Sequence, residues 1–350
     1  MFNTATLKDF FRRLPKVELH RHLEGSLRLD TLLDLTRTLG ITLPLRPSLR
    51  SLVQMQPDDP FNFSTFLSKF QTLRQFYLSP DVIKRVTYEA VEDAAVDSVR
   101  YMELRFTPVA LTRSRGFPLG DVMDWVAESA AQAAKDYGIK VRLIASVNRH
   151  ESLELAAEVA ELAAQRIKSG IIALDLAGNE AQFSAAPFAD IFRRAHSDGL
   201  AITVHAGEWN SAANVREAIE VLGADRIGHG VRILEDPDVI ALASERCIPF
   251  EVCVTSNYQT GVVAALTDHP IVRMLVAGLN VTINTDDPSI SAITLSDEYR
   301  VVCRDLGISR QYLTERILAA AQASFLPQAE RESLVDSLTQ ELSRVNWLLP

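Results

Sequence analysis

Seven histidines occur in the 350 residues: His20, His22, His150, His196, His205, His229 and His269. His20 and His22 lie two apart in VELHRH. Residues i and i+2 of a strand point to one face, so both imidazoles can reach a single ion from one rigid element. For HxH alone, a polar pair at an exposed strand end is an equal reading. His205 ends the run AITVHAGE, and Asp286 ends NVTINTDDP. Three imidazoles and one carboxylate make an N3O shell suited to a zinc-like ion. Such an ion with an open position lowers the pKa of bound water to about 7. The chemistry then needs a proton shuttle. Glu208 follows His205 by three residues and can reach an atom beside the metal. His229 is read as a base or electrostatic group that orients the hydroxide, with a fifth ligand and a packed histidine as the other readings. Asp287 adjoins Asp286, so the two side chains diverge and Asp287 can address a substrate. Neighbouring carboxyls raise one pKa, and a protonated Asp can donate to a ring nitrogen. A helix cap before Pro288 is the competing role. His150, His196 and His269 are expected to lie in helices or loops away from the strand ends and are given no role.

Eight elements must position these groups. Each is a short apolar or β-branched run that ends in a polar cluster, spanning residues 17–22, 99–108, 140–147, 171–178, 201–208, 226–230, 249–257 and 280–288. Stretches with helical periodicity lie between them, at 153–167, 215–222 and 238–245. Alternating strands and helices indicate a parallel sheet. Eight such runs with no Gly-rich dinucleotide fingerprint favour a single (β/α)8 TIM barrel over residues 1–350. Extra helices are expected between the first two strands, over 61–95, and a helical tail after Ser296. The Pro-dense stretch Leu43 to Pro60 reads as an irregular insertion. Barrel enzymes build their active sites at the C-terminal ends of the strands, where four of the histidines fall. A binuclear site in such a barrel needs a bridging ligand, often a modified lysine ending the fourth strand. Here that strand ends in Asp175, Leu176, Ala177 and Gly178, and the nearest lysine, Lys168, precedes it. One metal per chain is therefore expected.

Composition removes other classes. Asp plus Glu number 45 against 36 Lys plus Arg, a net charge of −9, which is not the footprint of a nucleic-acid binder. Three cysteines without paired spacing suit a reducing cytoplasm. The N-terminus lacks a signal-peptide pattern, and no apolar run approaches the roughly 20 residues that span a bilayer. A small molecule is the expected partner, with neither nucleic acid nor membrane.

LPKVELHRHLEGSL, DLAGNE, VHAGE, RIGHG, EVCVTSN and INTDDPSI, in that order, resemble the adenosine deaminases of the amidohydrolase superfamily. MELRFTP and ASFLP fit the same family. The resemblance implies one zinc held by His20, His22, His205 and Asp286. It implies that Glu208 protonates purine N1 during hydroxide attack at C6, that His229 orients the hydroxide, and that Asp287 hydrogen-bonds N7. The N–H of Gly178 would meet N3. Adenosine, with 2′-deoxyadenosine as a second substrate, would give inosine or its deoxy form and ammonia in purine salvage. FSTFLSKF places Phe63, Phe66, Leu67 and Phe70 on one helical face. Core packing would explain that spacing, and the family places a gate over the ribose there. Glu24 stands where typical members carry Asp in HLDG, a position that resembles the contact to the ribose 5′-hydroxyl. HLEG also resembles relatives acting on 5′-modified adenosines such as aminodeoxyfutalosine or 5′-methylthioadenosine, or on adenine. Gly228 and Thr285 keep the adenosine-type pattern, and Val254 replaces a common proline. A purine-binding barrel without activity is a remote alternative.

Overall fold

The computed structural model describes residues 4–41 and 48–345. The eight apolar runs form eight parallel strands: β1 Lys16–His22, β2 Val99–Phe106, β3 Lys140–Asn148, β4 Ile171–Ala177, β5 Ala201–Ala206, β6 Arg226–His229, β7 Pro249–Val252 and β8 Asn280–Ile283. They pair in sequence order. Strands of a parallel barrel are buried on both faces and read as near-continuous apolar runs, as IIALDLA of β4 does. The architecture is the (β/α)8 TIM barrel expected.

The last strands are shorter than their apolar runs, for identifiable reasons. β5 stops at Ala206 because the next four N–H groups turn to the carboxylate of Glu180. β7 stops at Val252, and residues 254–259 form a helical turn instead of extending the strand. The Glu298 carboxylate accepts the N–H groups of Val254 and Thr255 at its start. A proline at 254 could not donate that bond. β8 stops at Ile283, and the next residues close the seam with β1. Asn284 Oδ1 accepts from the Leu19 N–H at 2.9 Å, the Asp286 N–H donates to the His20 carbonyl at 2.8 Å, and the His22 N–H donates to the Asp286 carbonyl at 2.8 Å.

Helices Phe63–Leu73 and Pro80–Val96 fill the expected insertion between β1 and β2. Asn62 and Ser79 cap them through side-chain oxygens, with Pro80 just inside the second helix. Part of the Pro-dense stretch, residues 43–47, lies outside the described residues. The remainder is more regular than expected: Leu49–Val53 is a short helix, and the Met55 N–H binds the Ile290 carbonyl at 2.8 Å. The tail is helical, over Leu295–Arg304, Arg310–Gln322 and Gln328–Ser343. Among the described residues, no helix is long and apolar enough to cross a membrane.

The barrel interior carries a buried ion network. Glu251 accepts from Arg105 Nη2 at 2.6 Å, Arg226 Nε at 2.6 Å and Thr203 Oγ1 at 3.1 Å. Arg226 also reaches Glu103 at 2.5 Å and lies over the Phe325 ring at 3.5 Å. All four charged groups are at most 1% exposed. Removing one member of such a set strands its partners without solvent. Glu251→Ala is expected to cost about 3–5 kcal/mol of folding stability, read by urea denaturation. A variant as stable as the parent would show that the arginines find other partners.

Candidate metal centre and active site

Two histidines arrive at the mouth of the barrel with their protons already assigned. His20 Nδ1 lies 2.8 Å from Glu251 Oε2, and His205 Nδ1 lies 2.9 Å from Asp175 Oδ1. Both carboxylates are fully buried. Burial alone would raise their pKa values. For Glu251 the arginines Arg105 and Arg226 overcome it, and for Asp175 the neighbouring His205 and Arg105 do. Both stay below the usual carboxylate range. An anionic acceptor requires a donor, so each Nδ1 carries hydrogen, and in the neutral ring that a metal ligand requires each Nε2 presents a lone pair. Carboxylate-backed imidazoles of this kind orient metal ligands.

The lone pairs converge. His22 Nε2 lies 3.2 Å from His205 Nε2, and Asp286 Oδ1 lies 3.3 Å from Nε2 of both His20 and His22. His20 Nε2 is buried and makes no hydrogen bond. Asp286 is fixed from behind by the Ser256 hydroxyl, which donates to Oδ2 at 2.6 Å. Burial would raise its pKa, but the imidazoles of His20, His229 and His22 packed around it hold it well below the usual carboxylate range. Electron-rich atoms crowded together in a buried site fit a cation. His20, His205, His229 and Asp286 each offer a ligand atom, with all four atoms within 4.8 Å of one another. His22 joins through the two short contacts above. Five side chains therefore compete for a four-ligand shell.

The other expected residues surround this cluster. His229 Nε2 is 3.6 Å from Glu208 Oε2 and 3.9 Å from Asp286 Oδ2. Burial lowers the pKa of His229 and of His22 well below the usual value. Burial, reinforced by Asp286 and Glu180, raises that of Glu208 well above the carboxylate range. Asp287 is raised in the same way, by burial and then by Asp286 and Glu24. Its Oδ1 is buried without a partner. His229 and Asp286 both adopt positive φ, +60° and +65°. Non-glycine residues held there at a site cost of order 1–3 kcal/mol each.

A cavity of about 380 Å³ opens onto the cluster. It is lined by His22, His205, Glu208, His229, Asp286 and Asp287, and by the expected Glu24, Gly178, Phe63, Phe66 and Leu67. Gly178 has φ +99°, a conformation that disfavours any side chain. Glu24 Oε1 accepts from the Thr107 N–H at 2.6 Å, while its Oε2 is buried without a partner. Burial raises its pKa to about 7. The Phe63 ring packs on Trp209 at 4.2 Å, so the helix Phe63–Leu73 touches the loop after β5. The fourth member of that helical face, Phe70, lines the cavity as well.

One expectation is corrected. His150 is not remote from the strand ends: it lies two residues beyond β3 and lines the cavity, because the chain turns back over the mouth at Asn148. His269 lies in the loop before the helix Ile271–Val276, as expected, but is buried and bonded to Asn257. His196 is in a surface helix.

Residues missed in the sequence form the supporting layer. Asp175 and Glu251 are charged residues inside apolar strands, a signal that was available. Glu180 is the other omission. Its carboxylate accepts from the N–H groups of Gly207, Glu208, Trp209 and Asn210 at 2.7, 2.7, 2.6 and 3.2 Å. It thereby holds the turn that carries Glu208.

A parallel barrel with carboxylate-backed histidines and an aspartate gathered at its C-terminal mouth defines an amidohydrolase-type enzyme. The sequence pattern of the adenosine deaminase family matches residues 15–341. The adenosine deaminase of Erwinia tasmaniensis is 38% identical over 329 residues, covering 92% of this chain and 97% of that protein. The adenine deaminase of Arthrobacter aurescens superposes with a TM-score of 0.86 at 30% identity, over 94% of this chain and 99% of that one. A Burkholderia ambifaria amidohydrolase crystallised with bound zinc gives a TM-score of 0.87 at 26% identity, over 98% and 96%. The chain belongs to the adenosine deaminase family, and it is a hydrolase acting on carbon–nitrogen bonds.

Proposed function

We propose that the chain deaminates adenosine and 2′-deoxyadenosine, releasing ammonia and the 6-oxo nucleoside in purine salvage, with one zinc ion per chain. The observation that carries this reading is one cavity in which Glu208, His229 and Asp287 face a His/Asp cluster. His20, His22, His205 and Asp286 would hold the ion; three nitrogens and one carboxylate oxygen suit zinc. When bound, it supplies Lewis-acid activation of water.

The remaining steps belong to side chains. Glu208, kept protonated by burial, gives its proton to purine N1 as water adds at C6. His229 steadies the attacking oxygen; one proton of the added water passes to the C6 amino group, which leaves as ammonia as the C6 carbonyl forms, and the other returns to the Glu208 carboxylate. Asp287 meets N7 through its buried, unpartnered Oδ1. Gly178 offers its N–H to N3. Glu24 Oε2 accepts from the ribose 5′-hydroxyl. Phe63, Phe66 and Leu67 cover the sugar, and excluding water strengthens every polar contact beneath them. We treat residues 1–350 as one catalytic domain in a reducing cytoplasm, a reading supported by three cysteines without a disulfide.

The deciding experiment is ammonia release by zinc-loaded protein on adenosine, 2′-deoxyadenosine, adenine, 5′-methylthioadenosine and aminodeoxyfutalosine, ranked by kcat/KM. Adenosine is expected to lead. One observation favours a second reading, a 5′-modified adenosine: Arg74 lines the cavity with its Nε buried and unpartnered. A 5′-modified nucleoside leading by tenfold or more would replace the first reading, and adenine leading would overturn both.

Glu180→Ala should lower kcat about 100-fold, because releasing the turn lets Glu208 drift by an ångström or so, a displacement of that cost. Steady-state kinetics on a variant with parental circular dichroism checks this. Unchanged kcat would mean that the turn holds its shape without the clamp.

A further inference from the structure

Five side chains compete for the ion, and a chain of hydrogen bonds behind His229 separates it from the rest. The Ile271 N–H points at His269 Nδ1 at 3.1 Å. A backbone N–H can only donate, so His269 Nδ1 bears the lone pair. His269 is 4% exposed, and burial pushes its pKa down to about 3. The ring is neutral, and its one hydrogen is on Nε2. That atom lies 3.2 Å from Asn257 Oδ1 and donates to it. The other end of the amide, Asn257 Nδ2, lies 3.1 Å from His229 Nδ1. Asn257 is fully buried. Flipping its amide would require His269 to accept at both nitrogens, which a neutral imidazole cannot do. The amide therefore donates to His229 Nδ1, and a neutral His229 carries its hydrogen on Nε2.

We propose that Asn257 and His269 are positioning residues that lock His229 in the Nε2–H tautomer, making it a hydrogen-bond donor to the reacting oxygen and not a metal ligand. The orientation is opposite to that of His20 and His205, whose Nδ1 hydrogens are taken by Glu251 and Asp175. One cluster thus holds imidazoles of both tautomers. Those backed by carboxylates present lone pairs, and the one backed by an amide presents N–H. His22 is left to complete the ligand set. A fixed donor aimed where negative charge develops needs no reorganisation during reaction. The inference rests on the proposed deamination only for what that charge is.

The test is long-range ¹H–¹⁵N correlation on the full chain labelled with ¹⁵N-histidine, without metal and with zinc. The His229 signals are assigned by their loss in His229→Gln. His229 should show a protonated Nε2 and a pyridine-type Nδ1 in both states. A protonated Nδ1, or an Nε2 that shifts as a metal ligand on loading, overturns the proposal. Asn257→Asp keeps the shape but accepts at both oxygens. It should move hydrogen to His229 Nδ1 and lower kcat for adenosine about 100-fold, the scale of one lost oxyanion donor, with KM within a few-fold. Parental kcat in that variant overturns the proposal. Should it misfold, His269→Gln and His269→Phe take its place. Glutamine can accept from Ile271 and donate to Asn257; phenylalanine can do neither. The glutamine variant should be the faster by tenfold or more, and equal rates would count against the relay. If adenosine is not the substrate, the spectra still decide the tautomer.

Discussion

Glu208→Gln is expected to lower kcat for adenosine about 10³-fold, within the range that a positioned general acid contributes, while KM changes by no more than a few-fold. The substitution keeps size and polarity and removes only the transferable proton. Three acidic side chains, Glu180, Glu208 and Asp286, crowd the barrel mouth beyond the ends of β4, β5 and β8. The Glu180 carboxylate accepts from four backbone N–H groups. Asp286 keeps its charge beside His20, His22 and the Ser256 hydroxyl. Glu208 has the repulsion of both without an equivalent set of donors, so the proton settles there. A direct comparison of kcat, and of inosine binding by calorimetry, checks this. Near-parental turnover would remove Glu208 from proton transfer, and weak binding with parental kcat would make it a binding group.

The same crowding explains which parts of the site were legible in sequence. A barrel strand is apolar until it leaves the core, so His22, His205, His229 and Asp286 stood out as polar residues ending apolar runs. Their grouping follows from the fold, because parallel strands bring all their C-terminal ends to one mouth. The supporting layer is harder to read. Glu251 and Asp175 sit within strands of only four and seven residues, and their purpose depends on partners up to 231 residues away. Asn257 fell in a run that reads as strand because it follows PFEVCV without a break. The Glu298 carboxylate, reaching in from a later helix, accepts the first N–H groups of the helical turn that forms there instead. His150 looked remote because sequence distance from a strand end does not show where a turn folds back. The lid was ambiguous for a different reason. Its Phe spacing serves core or cavity equally, and the helix does both: Phe66 is 3% exposed and Leu67 is 42% exposed, yet both line the pocket.

Removing the metal should abolish deamination and also destabilise the fold. In the metal-free chain, the Nε2 lone pairs of His20 and His205 point into one buried space, with His22 Nε2 3.2 Å from that of His205 and the Asp286 carboxylate beside them. The rings of His20 and His205 cannot relieve this by exchanging tautomers, because Glu251 and Asp175 hold their Nδ1 hydrogens. Only a cation, or protons taken up at the cost of burial, satisfies the cluster. Treatment with dipicolinate followed by desalting should leave below 1% of activity, and one equivalent of Zn²⁺ should restore it. An ion present at a thousandfold over its dissociation constant adds about 4 kcal/mol to the folded state, so Tm should fall by several degrees on chelation and recover with zinc. The stoichiometry should be one. Asp286 Oδ2, the atom that a second ion would need, already accepts from Ser256, and the end of β4 offers no lysine. Metal content near two per chain would require a bridging ligand that these residues do not provide. Full activity in protein holding under a tenth of an equivalent of any transition metal would assign the convergent lone pairs to another purpose, and with them the reading of the site.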